Sequence, residues 1–276
     1  MINSLRYRLL GWFLIFSLLI ACVIIPSNII LNNKEDKINS VVKKINALNI
    51  DFLKMFRLSD NFFYSEPYNP RFFITGESDI LNQHLAIASS VEKQIEHMHN
   101  TKAWKSFDIN HDLYLVIKEF KEYSIVFDTL VYLVYKKGYK NYGLEGEMID
   151  YIYKLENNLK IDKTRLLQLR RNEKDYFLRN DKFYIENFNR LSQNLKSSII
   201  RNNLLSKDEK SLIINTLDNY INAFHLLVKL DNQIGLKDNS GLWLNLRQKC
   251  NTIESLFVRL EGESVKIQQA LLRKTN

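Results

Sequence analysis

From Arg8 to Lys34 the sequence carries no charged residue between them, and Leu9 to Ile25 is almost unbroken apolar sequence. With Pro26 to Leu31 the run reaches the roughly 20 residues that a bilayer requires. It predicts one membrane helix over residues 9–31. Arg6 and Arg8 stand just before the run, while Asn32-Asn33-Lys34-Glu35-Asp36 opens the far side. This charge asymmetry predicts a cytoplasmic segment, residues 1–8, and an extracytoplasmic body, residues 32–276. A competing reading is a lipoprotein signal, because Leu19-Ile20-Ala21-Cys22 resembles a lipobox after a basic start. Val23-Ile24-Ile25 and Ile29-Ile30-Leu31 continue the apolar run beyond that cleavage point, where a mature lipoprotein turns polar, so an uncleaved anchor is the preferred reading. No other stretch approaches about 18 apolar residues, which makes the expected topology single-pass.

The body is rich enough in apolar residues to fold: 46% of the chain is hydrophobic, with only 8 Gly and 3 Pro. Scarce turn formers favour long helices. Two Cys in 276 residues cannot build a disulfide scaffold, and Cys22 lies inside the apolar run. Apolar positions then recur at three and four, as in Ile38, Val42, Ile45, Leu48, Phe52 and Met55, so the membrane helix is expected to continue into an amphipathic one. Pro67 and Pro70 end it, and Ser78 is a suitable N-cap for the next helix. Further helices are expected over residues 111–136, 145–179, 182–202, 206–235 and 242–274. Ser206-Lys207-Asp208-Glu209 reads as a capping box. No alternating strand pattern persists, so the expected fold is all-α: a transmembrane helix followed by an elongated helical bundle.

Two segments repeat at an offset of 98 residues. Gly143-Leu144 aligns with Gly241-Leu242, and Met148, Ile152, Glu156 and Leu159 align with Leu246, Cys250, Glu254 and Phe257. Periodicity alone accounts for the apolar matches but not for the paired Gly-Leu and Glu. A weaker echo links Asp60-Asn61-Phe62-Phe63 to Lys174-Asp175-Tyr176-Phe177. Duplicated helical hairpins are the expectation.

The most distinctive stretch is Arg170-Arg171-Asn172-Glu173-Lys174-Asp175-Tyr176-Phe177-Leu178-Arg179. Extending the stripe Leu155, Leu159, Leu166, Leu169 by three and four reaches Glu173 and Tyr176, which places Glu173 in a helix interface. An unpaired buried carboxylate costs several kcal/mol or takes up a proton. A cation or hydrogen-bond donor from another helix is therefore expected, with Arg57 and Lys54 as candidates. Arg171 with Asp175, and Asp175 with Arg179, are spaced to pair along the exposed face for ~0.2–0.5 kcal/mol each.

This motif resembles the Arg-Arg-x-Glu-Lys-Asp-Phe-x-x-Arg signature of the helical bimodular sensor domains of bacterial chemoreceptors and sensor histidine kinases. The Gly-Leu helix openings and Glu66-Pro67 to Phe72-Phe73 also look like that family, and Tyr176 replaces the usual Phe. The resemblance covers residues 34–275 in layout. It implies two stacked four-helix bundles that bind small ligands such as organic acids and pass a displacement through the membrane. It further implies a periplasmic sensor domain held by the bacterial inner membrane. Such sensors lead into a second membrane helix and an output domain, whereas this sequence ends at Asn276.

Chemistry of other kinds has no residues behind it. Histidines 97 and 99 lie about 200° apart on a helix, wrong for a shared metal. No phosphate-cradling glycine loop, zincin motif or nucleophile elbow occurs, so neither an enzyme, a metal nor a cofactor is expected. The charge of +8 comes partly from Arg6 and Arg8 and is otherwise interleaved with acids, which argues against nucleic acid. The expected function is a sensor input module, and the alternative is a membrane-tethered scaffold that binds a partner protein. The expected partner is a small anionic molecule, with the membrane as support and room for a homodimer. Arg57, Arg170 and Arg171, with Lys54 and Arg179 behind them, are the anion-binding candidates, because planar guanidinium groups suit carboxylates. Glu173, Lys174 and Asp175 form the structural half of the motif. The spacing of Phe257, Leu260, Ser264, Ile267 and Leu271 suits a coiled-coil seam in the last helix.

Overall fold

The computed structural model describes residues 2–100, 110–237 and 239–275. Among these residues the regular structure is helical throughout, with no strand. The order is α1 (Ile2–Ser65), a 3-10 turn (Glu66–Tyr68), α2 (Pro70–Thr75), α3 (Asp79–Asn100), α4 (Asn110–Lys137), α5 (Gly143–Glu156), α6 (Lys163–Arg179), α7 (Lys182–Arg201), α8 (Lys207–Ile234) and α9 (Gly241–Thr275). Helix α1 carries the apolar run: Trp12, Phe13, Leu19, Val23 and Ile30 are all exposed, and α1 is long and apolar enough to cross a membrane. Cys22 is exposed within it. Arg6, Arg8 and Leu271 belong to helices, but their side chains lie outside the described residues.

The chain divides into two compact units. The first comprises Met1–Lys54, Ser89–Phe120 and Thr252–Asn276. Its core takes Ile38, Val41, Ile45, Leu48 and Phe52 from α1, Val91, Ile95 and Met98 from α3, Leu113, Val116 and Phe120 from α4, and Ile253, Phe257 and Leu260 from α9. Val41, rather than the expected Val42, is the buried member of the α1 stripe. Phe52 meets Phe120 edge-on at 5.4 Å and Phe257 at 5.0 Å between ring centroids. Of the α9 seam, Phe257, Leu260 and Ser264 are buried and Ile267 is half-buried.

The second unit comprises Met55–Ala88 and Lys121–Asn251. Within it α5, α6, α7 and α8 enclose a core centred on Leu169, Phe188, Leu195, Leu217 and Phe224. Phe188 and Phe224 stack at 3.9 Å. Caps act where the side chains allow: Ser78 Oγ accepts from Leu81 N–H at 3.0 Å, and Ser206 with Glu209 forms the capping box of α8.

The single helix expected over residues 145–179 is two helices. Asn158 Oδ1 accepts the Lys160 N–H at 2.9 Å, and Asp162 caps α6 through Arg165 N–H at 3.2 Å. The Lys163 ammonium covers the terminal carbonyls of Glu156 and Asn158. Asn, Asp and Lys thus satisfy the backbone groups that a continuous helix would have paired. The stripe breaks with it: Leu159 is 92% exposed, unlike its aligned partner Phe257. The helix openings of the repeat are alike in backbone. Gly143 and Gly241 have φ of +60° and +55°, and each follows a left-handed glycine, Gly138 or Gly235, that ends the previous helix. A Cβ on Gly138 would stand 1.9 Å from the Tyr142 carbonyl, and one on Gly235 2.0 Å from the Ser240 carbonyl. Only glycine fits either closure.

Candidate functional site

In the second unit the two glycine turns border one cleft of about 920 Å³. Helix α1 contributes Asp60, Phe63 and Tyr64, and the turn after it Pro67 and Tyr68. The end of α4 brings Lys137, Gly138 and Tyr139, the start of α5 Glu145, the end of α8 Asp231 and Ile234, and the start of α9 Trp243 and Arg247. Leu236 and Lys237 come from the turn between the last two. The left-handed closures at Gly138 and Gly235 reverse the chain within a few residues, which carries Lys137 and Lys237 to the same rim.

The aromatic wall is ordered by ring contacts. Trp243 packs edge-on against Phe63 at 5.3 Å, and Tyr68 against Tyr139 at 5.8 Å. The Arg247 guanidinium lies over the Trp243 ring at 5.7 Å and donates to Asp60 at 3.1 Å. Such a stack holds a guanidinium in place at modest cost in desolvation.

Asp231 is the deepest charge in the cleft. Its side chain is 8% exposed, and its Oδ1 is 2.5 Å from Lys137 Nζ. Its Oδ2 accepts no hydrogen bond among the described residues, and Lys237 Nζ stands 3.6 Å away. Lys237 is instead aimed at the carbonyl of Phe177, 2.6 Å off. Burial pushes the Glu145 carboxyl above the usual carboxylate range, against the lowering influence of Lys137. The cleft therefore holds three cations and three acids, Lys137, Lys237 and Arg247 against Asp60, Glu145 and Asp231, on a largely aromatic floor.

The residues singled out in the sequence lie elsewhere. Lys54 is exposed and 3.4 Å from Asp51. Arg57 is exposed, with no ion-pair partner among the described residues. Arg170 is half-buried and pairs with Glu156 of α5, and its guanidinium lies 5.7 Å from the Tyr153 ring. Arg171 and Arg179 flank Asp175 at 3.7 and 3.8 Å and, with Arg190, line an open groove between α6 and α7. Of the five, Arg171 and Arg179 lie together in one depression.

Glu173 is buried, at 1% exposure, as its place in the stripe requires. Its partner is neither Arg57 nor Lys54. Tyr220 of α8 donates to Glu173 Oε2, and Lys174 of the same helix reaches Oε1 at 2.9 Å. Burial and the facing Glu173 charge both push the Tyr220 hydroxyl up, so it remains a donor. The expectation of a cation or a hydrogen-bond donor from another helix is met by the donor Tyr220, two helices further on. The named candidates Arg57 and Lys54 are not the partners, because a donor so distant in sequence gives no local signal.

The cleft residues were legible only in part. The turns at Lys137-Gly138 to Gly143 and Lys237 to Gly241 were visible as punctuation, and Trp243 follows the repeated Gly-Leu. Asp231 and Glu145 carry no motif. No group of His, Cys, Asp and Glu able to hold a metal ion occurs among the described residues. No protein-family model, curated protein or solved structure matches the chain.

Proposed function

We propose that the chain is the input module of a bacterial signalling system, anchored once in the inner membrane with its N-terminus cytoplasmic and its helical body in the periplasm. The observation that carries this reading is the aromatic cleft with Lys137, Lys237 and Arg247 at its edges. A concave site with apolar walls and a few convergent polar groups is the usual form of a small-molecule pocket. The exposed apolar face of α1 supports the anchor. In this reading the body consists of two stacked four-helix bundles, and α1 and α9 carry the response toward the membrane. The ligand is a small carboxylate-bearing molecule such as an organic acid, received by the cleft cations, and the module works as a homodimer. It is not an enzyme and uses no cofactor.

Two experiments test it. Alkaline phosphatase fused after Asn276 is expected to be active, and an inactive fusion would place the body in the cytoplasm. Isothermal titration of the full chain in detergent with a panel of carboxylates is expected to show saturable binding. A scaffold that binds a protein partner is favoured by one observation, the open groove bearing Arg171, Arg179 and Arg190. Silence across the whole panel would move the weight to it.

A further inference from the structure

We propose that the cleft of the second unit recognises an α-amino acid with a large apolar or aromatic side chain, a ligand that carries an ammonium as well as a carboxylate. The proposal rests on the sensor reading above and sharpens its ligand class. A purely anionic ligand would give no donor to Asp231 Oδ2 and would meet cations that already hold partners: Lys137 at 2.5 Å from Asp231, Arg247 donating through Nη1 alone to Asp60, and Lys237 donating to the Phe177 carbonyl. It would also stand beside the carboxylates of Asp60 and Asp231, which repel it.

A zwitterion meets both signs at once. Asp231 supplies a side chain more than nine-tenths buried, with an oxygen that accepts no hydrogen bond among the described residues. Buried carboxylate oxygens are rarely left without a hydrogen bond, and Lys237, 3.6 Å from this one, lends it a charge but no hydrogen bond. The ammonium of an amino acid carries three donors on a compact charge and suits that oxygen. Its carboxylate then has Lys237 and Arg247 within the same cleft, and the guanidinium is the planar, forked donor that carboxylates prefer. The side chain is left facing Phe63, Tyr68, Tyr139 and Trp243. These rings offer apolar area and edge-to-face contacts. Glu145, whose neutral form burial already favours, adds a further acceptor or donor at the rim.

The experiment is isothermal titration of the detergent-solubilised full chain with three probes of matched side chain: L-phenylalanine, 3-phenylpropionate, which lacks the ammonium, and phenethylamine, which lacks the carboxylate. Phenylalanine is expected to bind at least about tenfold more tightly than either analogue, as the loss of one charged hydrogen bond implies. Asp231→Asn is expected to lower phenylalanine affinity by about tenfold or more while leaving 3-phenylpropionate unchanged or improved. The unliganded melting curve checks that the variant folds, and the probe comparison on the unaltered chain decides the matter even where it does not. Equal binding of phenylalanine and 3-phenylpropionate would overturn the ammonium site and leave the sensor reading standing. Failure of all three probes would overturn the amino-acid proposal, and the carboxylate panel then tests the sensor reading by itself.

Discussion

In the first unit the buried carboxylate of Asp112 is met by a full charge, the guanidinium of Arg259, which approaches it with both Nε, at 3.1 Å, and Nη2. In the second unit Asp231 is met by Lys137, but two other buried ionisable groups, Glu173 and His84, are met by tyrosines. Glu173 accepts from Tyr220, and His84 Nε2 shares a hydrogen bond of 2.8 Å with Tyr123, whose hydroxyl also meets Ser59 Oγ. The difference separates two ways of keeping a polar group inside. Arg259 is 55% exposed, so its charge stays largely solvated and its pair with Asp112 is screened by salt. A tyrosine hydroxyl satisfies its partner without bringing a second charge, and leaves that partner's own protonation to set the energy. The Asp112–Arg259 pair is therefore expected to respond to ionic strength, and the His84–Tyr123 pair to pH.

The strongest way to break this comparison is to disturb packing instead of polarity. Phe52 of the first unit and Phe224 of the second are both fully buried. Phe52→Ala and Phe224→Ala are each expected to cost about 3–5 kcal/mol, through lost transfer energy and the cavity left behind. Denaturant unfolding of the full chain in detergent, followed by circular dichroism, measures both. A cost below about 1 kcal/mol at either site would mean that the unit is not held by its core.

Protonation of His84 comes next. Burial lowers its pKa from 6.5 to about 4, and its ring stacks on Phe127 at 3.7 Å. Because the folded value lies below the unfolded one, the stabilising contribution is complete above pH 6.5 and is lost as pH falls from there toward 4. The loss is expected to be about 3 kcal/mol by the bottom of that window. His84→Gln is expected to flatten the stability profile between pH 6.5 and 4. An unchanged slope in the variant would assign the acid response to other groups.

Glu173→Ala leaves the Tyr220 hydroxyl buried without its acceptor, and is expected to cost about 1–3 kcal/mol in the same assay. Glu173→Gln keeps an acceptor oxygen for Tyr220 and is expected to recover a large part of the loss. A fully destabilised Gln variant would show that the charge itself, held by Lys174, matters more than the tyrosine bond.

The smallest effect belongs to the surface half of the same motif. Arg171 is 83% exposed in its side chain and sits 3.7 Å from Asp175. Arg171→Ala is expected to change stability by less than about 0.5 kcal/mol. A larger loss in the melting profile would give the arginine groove a structural role and weaken its claim as a partner surface.

Much of the helix inventory was written in local chemistry. Pro67 and Pro70 ended α1, Ser78 and the Ser206–Glu209 box opened α3 and α8, and the three-four stripe carried Glu173 inward. These features depend on neighbours within a turn or two, which is the range over which propensity and capping act. The break after Glu156 was also local in cause. It was hidden because Leu155, Leu159, Leu166 and Leu169 keep helical spacing across it, while Asn158, Asp162 and Lys163 satisfy the interrupted backbone.

What the sequence determined by itself was the class of object: an apolar helix long enough for a bilayer, and an all-helical body rich in amphipathic faces. What only the tertiary structure decided was which charged groups meet. Arg170 went to Glu156, Glu173 to Tyr220, and Asp231 to Lys137, pairs separated by 14, 47 and 94 positions in the chain. Helical periodicity fixes which way a side chain faces, but it says nothing of which helix stands opposite. That choice is made by how the faces pack, and so the cleft, unlike the helices that line it, has no signature in any one segment.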